Sequence, residues 1–183
     1  MGAVTLAGAG AAAGYLGLVT GALPVDLGVG RRTRPLGPQN ISIGAPREVV
    51  FDVIAQPYLG RATRAMREKV EVLERGSDMV LAAHRTPLAG GRLTATTVET
   101  VRFTRPGRVG FRLVRGPVPV VTESFTLTEQ DSGTRLVYEG ELATDLWWAG
   151  QWWGGLVASR WEATVAASLD AIRQEAERRA PAR

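Results

Sequence analysis

The sequence predicts an α+β domain. An antiparallel sheet of about seven strands has two short helices after strand 1 and a long C-terminal helix across it, all preceded by an N-terminal transmembrane helix. Three observations carry this. Short segments of period two, separated by Gly, Pro and Asp turns, fill the middle of the chain. An amphipathic run of helical period closes it, from about Leu146 to Arg179. The stretch from Gly2 to Val25 carries no charged side chain.

As a helix, Gly2 to Val25 would be about 36 Å long, against a hydrocarbon core of about 30 Å. Arg31, Arg32 and Arg34 follow it, and no basic side chain lies on the other flank. The positive-inside rule then keeps the folded part cytoplasmic, as a single-pass protein of the cell membrane. Ala3, Ala7, Gly10, Gly14, Gly17 and Gly21 fall on one helix face, a stripe suited to helix–helix association in lipid. A cleaved signal peptide would want a basic start and a shorter apolar stretch. A dinucleotide loop at Gly8 to Ala13 would want crossover helices downstream, and strands follow instead. Residues 1–30 are therefore read as anchor, 31–38 as linker, 39–179 as the folded domain and 180–183 as tail.

Pro35, Gly37 and Pro38 break the chain before a first strand at Gln39 to Ile43. Pro46 and Glu48 mark a helix start, Val49, Val50, Val53 and Ile54 give it an apolar face, and Gln56-Pro57 ends it. A second short helix is expected around Leu59 to Arg67. Six strands follow: Val70 to Arg75, Met79 to Thr86, Arg92 to Phe103, Val109 to Val114, Val120 to Glu129 and Thr134 to Leu142. Their short turns make an antiparallel meander. Trp153, Val157, Trp161, Thr164, Ser168 and Ile172 lie on or near one face of the last helix.

Composition excludes several functions. With 183 residues, one compact domain and an appendage fit. A net charge of +4 falls far short of a nucleic-acid-binding stripe. There is no cysteine and one histidine, so no ordinary metal site is expected. No phosphate loop and no Gly-x-Ser-x-Gly elbow occur, and no cofactor is expected.

Ile41 to Asp52, a strand running into an "APREVVFD" helix start, resembles the opening of the SRPBCC or START-like superfamily. That superfamily includes the Bet v 1 and polyketide cyclase/dehydrase groups. Phe103 to Val109 and Gly133 to Tyr138 are similar as well, and the likeness covers about Gln39 to Glu177. The resemblance implies a helix-grip fold, with a curved sheet around the long helix and a cavity for lipids, quinones or polyketides between them.

Period two then selects the inward side chains. Leu93, Thr97 and Glu99 share parity with Val101 and Phe103; Glu123 shares it with Val121 and Phe125; His84 shares it with Val80 and Ala82. Leu136 and Tyr138 join the same wall, Trp161 faces it from the helix, and Tyr58 stands where this fold opens. Glu99 and Glu123 either orient a ligand or move protons, or they sit near strand ends or pair with an arginine such as Arg85. His84 serves as proton carrier or as a hydrogen-bonded wall residue. Trp147, Trp148, Trp152 and Trp153 cannot all enter the core; plain core packing is expected of two.

Three functions fit: membrane-tethered binding or transfer of a hydrophobic small molecule, cyclase/dehydratase chemistry on a polyketide-like substrate, or a ligand-free interaction domain. The expected partners are that molecule and membrane lipids, with no nucleic acid.

Overall fold

The computed structural model describes residues 12–60 and 63–180. Seven strands, β1 (Arg32–Ile43), β2 (Val70–Arg75), β3 (Met79–Leu88), β4 (Leu93–Thr104), β5 (Arg108–Arg115), β6 (Val120–Gln130) and β7 (Gly133–Thr144), form one antiparallel sheet. Its order is β1-β7-β6-β5-β4-β3-β2. Two helices, α1 (Arg47–Leu59) and α2 (Arg64–Lys69), connect β1 to β2, and α3 (Trp147–Arg179) follows β7. Extra residues in β1, in β2 and, at Val114, in β5 interrupt the register with the neighbouring strand and bend the sheet locally.

The inner face carries the alternating apolar set. Val80, Val101, Val109, Val121, Leu127, Leu136 and Leu142 are all buried there, and Val50, Phe51 and Ile54 of α1 pack into the same core. Helix α1 runs past Pro57 to Leu59, which brings Tyr58 into the interior. Helix α3 lies on β1, β7 and α1. The centre of its contact face is built of Gly150, Gly154, Ala158, Val165 and Leu169, with Trp153, Val157, Trp161 and Ile172 along the flanks; Thr164 and Ser168 point to solvent. Small residues are needed at the centre. A Cβ on Gly154 would stand 3.0 Å from the Thr144 side chain and 3.3 Å from that of Leu142.

The first strand starts earlier than its punctuation suggested. Of residues 31–38, expected as linker, Arg32 to Leu36 pair with Thr144 to Gly140 of β7, and Gly37 and Pro38 form the register shift before Gln39. Pro35 and Pro38 are accommodated because β1 is an edge strand, where a missing donor costs no ladder bond on the open side. The preceding segment also belongs to the fold. Residues 12–19 are helical, and at Gly21 the backbone adopts a positive φ of 71° that stops the helix. Thr96 then donates its N–H to the Thr20 carbonyl at 2.9 Å, and the Arg115 side chain donates to the carbonyls of Gly21 and Ala22.

Among the described residues no helix is long and apolar enough to cross a membrane. The expected span therefore does not extend to Val25: its second half folds back over the sheet. Residues 1–11, including Gly10, lie outside the described residues. Of the small-residue stripe, Gly17 packs on Leu23 and Gly21 on Thr96 and Gly116 of the same chain.

Asp145 fastens this segment. Its buried carboxylate accepts from the N–H groups of Leu27 at 2.7 Å and Gly28 at 2.9 Å, and from Nε of Arg31 at 2.8 Å. The Arg31 guanidinium and the two amides hold the acid down to about 2. Its folded value lies below the unfolded one, so its stabilisation is present above the ordinary Asp range and is lost as pH falls towards 2. Replacing Asp145→Ala leaves the two amides and Arg31 without their acceptor. It should cost about 2–3 kcal/mol. Urea unfolding at neutral pH checks this; an unchanged midpoint would remove Asp145 as the fastening point.

Candidate functional site

Strand register decides which of the inward polar side chains meet. His84 pairs with Thr97 and Ala82 with Glu99 across β3 and β4, which sets the imidazole diagonally opposite the carboxylate. His84 Nδ1 lies 3.0 Å from Oε2 of Glu99, and Thr97 donates its hydroxyl to Oε1 at 2.7 Å. Tyr58, delivered by the last turn of α1, places its hydroxyl 3.1 Å from His84 Nε2. The Arg75 side chain donates to the Tyr58 carbonyl and holds that turn against β2. The result is a continuous line: hydroxyl, imidazole, carboxylate, hydroxyl.

A second carboxyl stands on the adjoining strands. Glu123 of β6 accepts at Oε2 from the Tyr138 hydroxyl and from Nε1 of Trp161, both at 2.7 Å. Its Oε1 has no hydrogen-bond partner among the described residues. Between the two carboxyls runs a ladder of edge-on and tilted rings. Tyr58 meets Phe103 at 5.8 Å and Phe111 at 6.2 Å, Phe111 meets Phe125 at 5.5 Å, and Phe125 meets Tyr138 at 5.7 Å.

Burial and charge divide the two acids. Glu99 is only 3% exposed. Burial alone would push it up, but the His84 charge and the hydrogen bonds of His84 and Thr97 outweigh that and leave it below its ordinary value. Burial would lower His84, and the Glu99 carboxylate outweighs it, so the imidazole is raised. Glu123 has no cationic partner in hydrogen-bond contact. Burial first, and the Glu99 charge second, push it up to about 7. Tyr58 and Tyr138 are both raised, by burial and then by these carboxylates, and remain protonated hydroxyl donors.

Of the residues singled out from sequence, Tyr58, His84, Thr97, Glu99, Glu123, Phe125, Tyr138 and Trp161 come together here. Val121 and Leu136 are fully buried on the same face, to either side of the cluster. Leu93 is elsewhere. It pairs with Leu88 at the far end of the β3–β4 hairpin, about 20 Å along the strand from Glu99. Arg85 does not serve Glu99 or Glu123; it pairs with Glu71 across the outer face. The site also contains Phe103 and Phe111. Phe111 shares parity with Val109 and Leu113 in β5, a pattern legible in the sequence but not used there. Two surface clefts lie away from the cluster, one beside Arg32, Arg34 and Gln151, the other beside Arg47 and Glu129. No group of His, Asp and Glu suited to a metal ion occurs among the described residues.

Solved structures share this architecture. The Zhui aromatase/cyclase from Streptomyces sp. R1128 superimposes with a TM-score of 0.64 at 19% identity, over 81% of this chain and 95% of that one. Norcoclaurine synthase from Thalictrum flavum, in complex with dopamine and hydroxybenzaldehyde, gives 0.62 at 11% identity, over 84% and 91%. The di-domain aromatase/cyclase BexL of the BE-7585A biosynthetic pathway gives 0.59 at 17%, and the chain spans about half of it. This is the helix-grip fold. At these identities the likeness is one of fold. No known family model matches the chain, and no curated protein sequence does.

The position of Glu123 has a consequence for stability. Its folded value of about 7 lies above the unfolded carboxyl value near 4.5. The stability it contributes is thus complete below that unfolded value and is lost as pH rises through about 7. A shift of this size is worth about 3 kcal/mol at most. Glu123→Gln, which keeps an uncharged hydrogen-bonding group, should match wild type near pH 4.5 and melt several degrees higher at pH 8. Parallel melting curves across that range would show no separation if Glu123 ionises as an ordinary surface acid.

Proposed function

We propose that the domain binds a hydrophobic, carbonyl-bearing molecule of aromatic or polyketide-like character between sheet and long helix, and carries out acid–base chemistry on it. The observation that carries this reading is the buried line Tyr58–His84–Glu99 facing a second carboxyl poised near neutrality. Buried ionisable groups are costly, and a packed core does not need them. The aromatase/cyclase and norcoclaurine synthase likenesses support the reading at the level of fold.

Each group has a role that follows from its partners. Glu99, satisfied at both oxygens, orients and charges His84. With the imidazole protonated, its Nε2–H donates to the Tyr58 oxygen and frees the Tyr58 O–H to donate to a substrate carbonyl. Glu123 keeps Oε2 engaged and has Oε1 available for a proton. A carboxyl near pH 7 is matched to that work, since both protonation states are populated. In the proposed reaction Glu123 takes the proton from a carbon next to the carbonyl. The enolate oxygen is held by Tyr58, a carbon–carbon bond forms to a second carbonyl of the same molecule, and the resulting alkoxide takes the proton back from Glu123. Trp161, which bonds Glu123 from α3, must swing aside to admit substrate.

Binding or transfer without chemistry is the second reading, and it is favoured by the apolar ring ladder around so few polar atoms. Incubation with a linear poly-β-ketone thioester separates the two, following the cyclised product by chromatography. Glu123→Gln and Tyr58→Phe should each lower turnover about 100-fold or more while still binding an anilinonaphthalene probe. Phe125→Trp should weaken probe binding broadly, because a larger ring crowds the ladder between Phe111 and Tyr138. Probe binding without turnover in the wild type leaves the transfer reading. No probe binding at all would set aside both.

A further inference from the structure

The first half of α3 presents two tryptophans to solvent. Trp148 is 80% exposed and Trp152 65%, and with Leu156 they form an i, i+4, i+8 stripe pointing away from the sheet. Val29, Leu146 and Trp147 extend the apolar surface around the helix start, where Val29 and Gly30 accept the N–H groups of Leu146 and Trp147. From Trp147 to Ser159 the helix carries no charge. Six large apolar side chains exposed together are not explained by packing, because none of them closes the core.

The border of this surface is cationic. Arg32 and Arg34 project from β1 along the same end of α3, where with Thr33, Thr144, Gln151 and Gly154 they line a cleft. The Arg34 guanidinium reaches to 3.5 Å from where a Cβ of Gly155 would stand. Arg160 lies one turn beyond Leu156 and is exposed. Neither Arg32, Arg34 nor Arg160 pairs with a carboxylate among the described residues, whereas Arg31 is taken up by Asp26 and Asp145. Asp145 is buried and Asp26 is paired, so this face offers no free acid to a cation.

We infer that this surface docks on an anionic lipid bilayer. Indole side chains favour the headgroup level of a bilayer, where the ring is half in hydrocarbon and the N–H is wet. Unpaired arginines beside them suit a negative leaflet, each worth about 1 kcal/mol near the surface. A second copy of the chain would bring the same uncharged stripe and the same arginines, with no carboxylate to receive them. The uncharged N-terminal segment arrives at the same end of α3: the Tyr15 ring stands edge-on to Trp153 at 6.2 Å, and Tyr15, Leu16 and Leu23 are exposed. The inference stands independently of the chemistry proposed for the interior.

The test uses the full chain with large unilamellar vesicles of phosphatidylcholine, alone or with roughly a third phosphatidylglycerol. Partitioning is read by sedimentation, and depth by quenching of indole emission with lipids brominated near the headgroup. Wild type should bind the anionic vesicles and be quenched. Trp148→Ser with Trp152→Ser should lower partitioning at least tenfold with an unchanged melting curve, since both side chains are outside the core. Replacing Trp147, Trp148 and Trp152 together by Phe should abolish most of the quenching. Arg32→Gln and Arg34→Gln should each lose about fivefold on anionic vesicles at low salt and nothing on neutral ones. Quenching that survives in the Phe variant overturns the inference, as does partitioning unchanged in the Ser variant. A stable dimer that the Ser variant dissolves would assign the surface to self-association instead.

Discussion

One helix has to cover a sheet much wider than itself. Seven strands at about 4.8 Å spacing span about 29 Å, and a helix with its side chains is about 10–12 Å across. A flat sheet would leave most of its apolar face wet, so the sheet must curl around α3. The extra residues in β1, β2 and β5 permit that curl, and the glycines of α3 let the helix sit close to β7. Even so, α3 rests on β1, β7 and α1, while α1 reaches β5, β6 and β7 from the other end. The inner faces of β3, β4 and β5 receive the least helical cover. His84, Thr97, Glu99 and Phe111 all project from those strands. The polar cluster lies there, covered by Tyr58 from the last turn of α1.

Two carboxyls in one low-dielectric interior cannot both ionise cheaply. Here the choice between them is made by a single histidine. His84 reaches Glu99, and Glu99 is ionised; Glu123 has only neutral donors, so its proton stays on to about pH 7. The ionised acid adds to the pressure on the other one. Removal of His84 would therefore change both acids together, and the interior titrates as a linked set.

Much of this was legible in the sequence, and the limits have physical causes. Period two is a property of each strand by itself, so the inward parity of His84, Thr97, Glu99, Glu123 and Tyr138 follows from local pattern. Which of them touch is a property of register between strands. The diagonal of His84 to Glu99 depends on how the β3–β4 hairpin turns, which parity alone does not specify. The same gap let Arg85 stand as a partner for Glu99, although it has opposite parity to His84 and reaches Glu71 instead. The start of β1 was hidden by Pro35, Gly37 and Pro38, which signal a break in a central strand but are tolerated at an edge. The tie between Asp145 and residues 27–31 joins positions more than a hundred apart, and no local pattern announces it.

The four tryptophans in the first two turns of α3 show how one pattern serves two environments. A helix turns 100° per residue, so Trp148 and Trp152 fall within 40° of each other while Trp153 lies about 100° from Trp152. Sequence spacing alone thus requires that one of these rings leave the face the others occupy. The structure turns Trp153 inward, where its N–H donates to the Pro117 carbonyl at 2.8 Å, and leaves Trp148 and Trp152 outside. The glycines at 150 and 154 explain why this orientation wins. They lie on the side that presses on Thr144 and Leu142, where an indole could not fit, so the rotation that seats the backbone close to β7 sends the two indoles to the opposite side. Close seating of the helix and exposure of the indoles are consequences of one rotation about the axis of α3.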